Sequence, residues 1–102
     1  MDRIAQLRKF IEAQPEEAFP RYALALELKG QGNAAAAAAE LDELLRRKPD
    51  YLAAYLQQGM LLQTLERLAD ARASLARGQA LARAKGDQHT LSELTAALES
   101  LP

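Results

Sequence analysis

The sequence has no cysteine, no tryptophan and a single histidine in 102 residues. Without cysteine there is no disulfide, no thiolate nucleophile and no cysteine-based metal site. Apolar runs are short, and none approaches the roughly 20 residues needed to span a bilayer. Asp2, Arg3, Arg8 and Lys9 interrupt the apolar residues at the start, so no signal peptide is expected there. Charge of one sign is also missing: the net charge is -1, which removes the electrostatic case for nucleic acid or an anionic membrane surface. These absences point to a cytoplasmic protein of bacterial type.

Catalytic signatures are missing too. There is no phosphate loop, no serine elbow and no glycine-rich stretch after a strand. The carboxylates are scattered, with no two placed to share an apolar pocket. His89 has Glu93 four residues on, a spacing that puts both on one helix face. A zinc site needs three or four protein ligands, and no others are evident. The expectation is no catalytic residue, no metal site and no cofactor.

What is present is a repeat. Residues 18–51 hold two helix-length stretches, a Gly-Asn turn between them and a proline near the end, and the pattern recurs 34 residues later. Pro15 and Pro49 share one phase, as do Leu7, Leu41 and Leu75, and Ala5, Ala39 and Ala73. A period of this size marks stacked units, none of which buries its apolar face alone.

The local signals give helices. Asp2 to Gln14 has an apolar stripe of Ile4, Leu7, Phe10 and Ile11, with Asp2 as cap and Pro15 as terminator. Ala18 to Lys29 is apolar around much of its girth, and Pro20 is tolerable in its first turn. Gly30-Gln31-Gly32-Asn33 breaks the chain, and Asn33 caps the alanine-rich Ala34 to Lys48. Its Glu40, Asp42 and Glu43 precede Arg46, Arg47 and Lys48 and read as a solvated face. Asp50 is expected to cap a helix reaching Thr64, with Gly59 in its middle. Leu65-Glu66-Arg67 lacks the expected glycine, which suggests a tighter or partly helical turn. Leu68 to Lys85 has no proline to stop it until Gly86. Asp87 caps a last helix with Leu91, Leu94, Leu98 and Leu101 in a stripe.

Arg21, Leu24, Ala25, Leu28, Ala37, Leu41 and Pro49 occupy the frame of one unit, and Tyr55, Gln58, Gly59, Leu62, Ala71 and Leu75 that of the next. In this spacing the chain resembles the tetratricopeptide repeat (TPR) family. It departs from the pattern in carrying Arg21 for the usual Trp, Leu for most aromatics and Arg83 for the second closing Pro. The tail from Lys85-Gly86-Asp87-Gln88 to Ser92-Glu93-Leu94 also resembles small bacterial single-domain TPR proteins. The resemblance implies an all-α fold, a right-handed TPR superhelix of about six antiparallel helices. It divides residues 1–102, as one domain, into an N-terminal half unit (1–17), a full unit (18–51), a unit with an extended second helix (52–85) and a capping helix (86–102).

The resemblance also implies a non-catalytic protein–protein interaction module, with an apolar peptide segment or partner surface held in the concave groove. The first helices line that groove. Carried over by phase, it receives Phe19, Tyr22, Leu26 and Lys29, then Leu56, Gln57, Met60 and Gln63. His89, Ser92 and Ala96 continue it if the last helix docks as a first helix does. The competing reading makes Leu26, Leu56 and Met60 plain core. The expected partner is a protein or peptide, with no nucleic acid and no membrane. Self-association into a homo-oligomer is the alternative, and an enzyme is the more remote one.

Overall fold

The computed structural model describes residues 2–102. Among them it has six helices and no strand: α1 Arg3–Ala13, α2 Ala18–Gly30, α3 Ala34–Arg47, α4 Leu52–Thr64, α5 Leu68–Lys85 and α6 Gln88–Glu99. They form two compact units, one ending at Tyr51 and the other Leu52–Pro102.

In the first unit α2 packs against both α1 and α3. Asp2 caps α1 by accepting the Ala5 N–H at 2.8 Å, and Asn33 caps α3 by accepting the Ala36 N–H at 3.2 Å. Leu24, Ala25 and Leu28 of α2 and Ala37, Ala38, Leu41 and Leu44 of α3 are buried together. The alanines let the two backbones approach, and the leucines fill the seam. Arg21 is buried beside them, with Glu40 3.8 Å from its guanidinium. Its Nε has no partner among the described residues.

The charged end of α3 is more organised than a solvated face. The Glu43 carboxylate accepts from Arg46 and from Arg47 Nε at 2.5 Å. Those two bonds, Arg46 first, hold its pKa down at about 2. Arg47 also reaches Glu16 at 2.9 Å, tying the end of α3 to the loop between α1 and α2.

In the second unit α4 packs on α5, and α6 packs on α5 and on α4. Helix α4 begins at Leu52, one residue later than a cap at Asp50 would place it. Two glycines set how closely the helices pack. A Cβ on Gly59 would lie 2.4 Å from Leu75 Cδ2, and one on Gly78 would lie 2.8 Å from Tyr55 Cβ and 2.9 Å from Leu94 Cδ2. The Ser74 hydroxyl, fully enclosed, donates to Gln58 Oε1 at 2.7 Å. A buried polar group without such a partner would be destabilising.

The turns explain the helix lengths. After α1 and α3 the chain turns through Pro15 and Pro49 with matching bonds. Gln14 N–H donates to the Phe10 carbonyl and Lys48 N–H to the Leu44 carbonyl, at 2.8 and 2.7 Å. Helix α5 has Arg83 where that proline would fall. It therefore continues to 18 residues against 14 in α3, about one extra turn, and ends at Gly86 with φ 70°.

The turn at Leu65–Arg67 is neither tighter nor helical. Glu66 N–H donates to the Gln63 carbonyl and Arg67 N–H to the Leu62 carbonyl, both at 2.9 Å, repeating the bonds of Gly32 and Asn33 to Lys29 and Leu28. The same geometry needs a left-handed residue, and Glu66 takes it at φ 60° where Gly32 has 80°. A non-glycine residue held there is strained by about 1–3 kcal/mol. Glu66→Gly is therefore expected to stabilise the protein by about 1 kcal/mol once glycine's greater unfolded freedom is subtracted. Thermal melts of the two proteins check this, and an unchanged or lower Tm would count against the strain.

Candidate functional site

The α2 face presents Phe19, Tyr22, Leu26 and Lys29 at helical spacing. Phe19 is 63% exposed and Leu26 38%, while Tyr22 and Lys29 are half-buried. Tyr22 stands against Tyr51, ring centroids 5.4 Å apart and tilted by 48°. Burial, and then the proximity of Tyr22, pushes the Tyr51 hydroxyl pKa up. Edge-tilted aromatic pairs of this kind are rigid and apolar with a polar rim.

The α4 face presents Leu56, Gln57, Met60 and Gln63. Met60 is 39% exposed and the other three are half-buried. Leu26 and Met60 lie 34 residues apart in sequence and have nearly equal exposure, 38% and 39%. Tyr22 and Leu56 are likewise in phase and both half-buried. The core is made elsewhere, by Leu24 and Leu28 on α2 and Leu61 and Leu62 on α4.

The remaining candidates are on α6. His89, Ser92 and Ala96 are exposed. His89 Nε2 lies 3.6 Å from Glu93 Oε1, both in solvent. No group of three or more His, Cys, Asp or Glu side chains able to hold a metal occurs among the described residues. Asp87 caps α6 through the Thr90 N–H and hydroxyl, at 3.0 and 2.7 Å, and these bonds lower its pKa.

Sequence reasoning did not single out Tyr51. Its phase-equivalents are Glu17 and Lys85, so the repeat gave no sign that an aromatic there would meet Tyr22. A pocket of about 180 Å³ lined by Arg8, Ile11, Glu12, Leu24 and Glu40 was likewise not legible. It depends on how far apart α1 and α3 stand over α2.

The crystal structure of a tetratricopeptide repeat domain protein from Salinibacter ruber is similar to this chain at 41% identity, over 80% of this chain and 92% of that one, with a TM-score of 0.76. This chain belongs to the tetratricopeptide repeat family. A solution NMR structure of a TPR domain protein from Salinibacter ruber matches at 42% identity over 83% of this chain and 86% of that one, with a TM-score of 0.77. The TPR2B domain of yeast Sti1, solved as a complex with pHsp70, matches over 94% of this chain and 77% of that one. Its TM-score is 0.88 at 16% identity, a likeness of fold. No protein-family model matches the chain, and no curated protein does. The TPR fold generally mediates protein–protein interaction and is typically non-catalytic. Among the described residues no helix is long and apolar enough to cross a membrane.

Proposed function

We propose that this TPR protein binds apolar segments of a partner protein at the open face of the first helix of each unit, α2 in one and α4 in the other. The observation that carries this reading is the in-phase pair Leu26 and Met60, large apolar side chains left 38% and 39% exposed at one position of the repeat. A repeat that buries its leucines elsewhere has no packing need for them. Met and Tyr suit an adaptable, largely apolar contact. Phe19, Tyr22 and Lys29 on α2, and Leu56, Gln57 and Gln63 on α4, border them.

The chemistry of the two faces favours an apolar ligand over a bare carboxylate. An acidic tail ending in a free carboxylate is the natural competitor. Tyr22, Leu26, Leu56, Gln57 and Met60 supply no cation, and Lys29 lies off in the last turn of α2, so a carboxylate placed among those five loses water without gaining a charge partner. Self-association through the same faces is the second reading, supported by the exposed Phe19.

Two synthetic peptides test this by NMR shift mapping. An uncharged amphipathic helical peptide is expected to perturb Tyr22, Leu26, Leu56 and Met60, with little dependence on salt. An acidic peptide ending in a free carboxylate is expected to leave them unmoved. Leu56→Glu and Met60→Glu should each remove the binding while helicity by circular dichroism stays intact. Tight, steeply salt-dependent binding of the acidic peptide would refute the reading, as would full affinity in both Glu variants.

A further inference from the structure

The cleft between α1 and α3 lies within the first unit. It is lined by Arg8, Ile11 and Glu12 of α1, Leu24 of α2 and Glu40 of α3, and its volume is about 180 Å³. An apolar cavity of about 150 Å³ holds a benzene molecule, so this cleft has room for a ligand group of roughly six to eight non-hydrogen atoms. Ile11 and Leu24 supply apolar lining, and the other three residues are charged. None of the five belongs to the open faces of α2 and α4, so the cleft is independent of what those faces bind.

The charged groups around the cleft do not satisfy one another. Glu40 has Arg8 on one side, with Oε1 3.8 Å from Nη1, and Arg21 on the other, with Oε2 3.8 Å from Nη1. Both separations are too long for a hydrogen bond. They are the only polar contacts of the Glu40 carboxylate among the described residues. Arg21 is 9% exposed, and its Nε meets no acceptor there. A buried guanidinium and a half-buried carboxylate without hydrogen bonds are costly, and charged groups held this far apart call for a bridging group.

The balance of charge decides what that group is. Arg8 and Arg21 face Glu12 and Glu40, so an anion in the cleft meets two carboxylates and a cation meets two guanidinium groups. What is missing is an acceptor for a guanidinium and, beside it, a donor for a carboxylate. A primary carboxamide carries both on one carbon and has no net charge. We propose that this cleft binds the side-chain carboxamide of a glutamine or asparagine on a partner protein. Its NH₂ donates to Glu40, its carbonyl accepts from Arg8, and its stem lies along Ile11 above Leu24. A free amino acid fits less well, because its ammonium and carboxylate need further charged partners and the four at the cleft already balance.

The test is an NMR titration of the ¹⁵N-labelled full chain with N-acetyl-glutamine methylamide, which offers the carboxamide without terminal charges. Shifts at Arg8, Ile11, Glu12 and Glu40, and at the Arg8 Nε–H, are expected to saturate with a Kd of about 1–10 mM for so small a probe. The glutamate and lysine derivatives, an anion and a cation on comparable stems, should each bind roughly tenfold more weakly or worse. Arg8→Met should weaken the glutamine derivative by roughly tenfold. The Arg8 side chain is 52% exposed, so this variant should keep its helicity. Glu40→Gln should weaken binding too, but it leaves Arg21 buried without its carboxylate, and Arg8→Met is therefore the decisive variant. No saturable shift up to about 50 mM would overturn the proposal and leave the cleft to water. So would a glutamate or lysine derivative that binds as well as the glutamine one, or full affinity in Arg8→Met. Free L-glutamine binding roughly tenfold more tightly than the capped form would overturn the partner side chain in favour of a free amino acid.

Discussion

Gly59→Leu is expected to destabilise the protein by about 3 kcal/mol or more, at or beyond the top of the usual overpacking range. The reason is local and geometric. Even the first added carbon would lie 2.4 Å from Leu75 Cδ2 and 2.5 Å from its Cγ. Leu75 is 1% exposed, so its side chain has nowhere to swing. The helices must separate, which opens the α4–α5 seam along its length. At about 4–8 °C per kcal/mol for a domain of this size, Tm should fall by at least roughly 12 °C. Gly30→Ala is the control, because a Cβ there meets nothing within 4 Å and alanine is the better helix former. Shrinking the obstacle should help: Gly59→Ala with Leu75→Ala should lose less than the sum of the two single variants. A Gly59→Leu melt within about 2 °C of the parent would show that the crossing is not where the structure has it.

Deleting residues 87–102 is expected to cost solubility as well as stability. Helix α6 contributes Leu94, fully buried beside Gly78 and Tyr55, and Thr95, whose hydroxyl accepts from Gln79 Nε2 at 2.9 Å. Arg72 is also bound to the Pro102 carbonyl. Its outward side is polar, with Gln88, His89, Ser92, Glu93 and Glu99 all exposed. Removing it strips that polar cover and uncovers the space around Gly78 that Leu94 fills. End units of stacked repeats need a polar outer face to stay soluble. The truncated chain should therefore associate at rising concentration in sedimentation and bind a hydrophobic dye. Leu94→Ala is the milder form, expected to lose about 2–5 kcal/mol while keeping the helix in place. A truncated chain that stays monomeric and melts at the parent temperature would mean that α6 is no cap.

Much of the fold could be read directly because the repeat writes each local rule more than once. Asp2, Asn33 and Asp87 are cap residues followed by apolar periodicity, and each accepts the expected backbone N–H. Pro15 and Pro49 stop helices for a reason that lies in the proline ring alone. Arg83, standing where the next proline would fall, foretold the long α5. The failures fall where one position answers to its neighbours in space. Glu66 has no left-handed preference of its own, yet the turn imposes φ 60° because the bonds to Gln63 and Leu62 are the same as in the glycine-bearing turn. The need for a small residue at Gly78 comes only from Tyr55 and Leu94, whose atoms lie 2.8 and 2.9 Å from where its Cβ would be.

For the candidate site the division is sharper. The sequence by itself determined which residues share a helix face, since α2 and α4 are fixed by periodicity and the frame assigns Leu26 and Met60 one position. It could not determine whether those side chains are core or surface. A leucine stripe and an exposed leucine read alike in one dimension, and only packing distinguishes Leu24, at 0% exposure, from Leu26, at 38%. The Tyr22–Tyr51 pair and the uncovered Phe10 belong to the same class. Both depend on which helix lies beside which, and that is decided by burial summed over whole faces rather than by any residue's own preference.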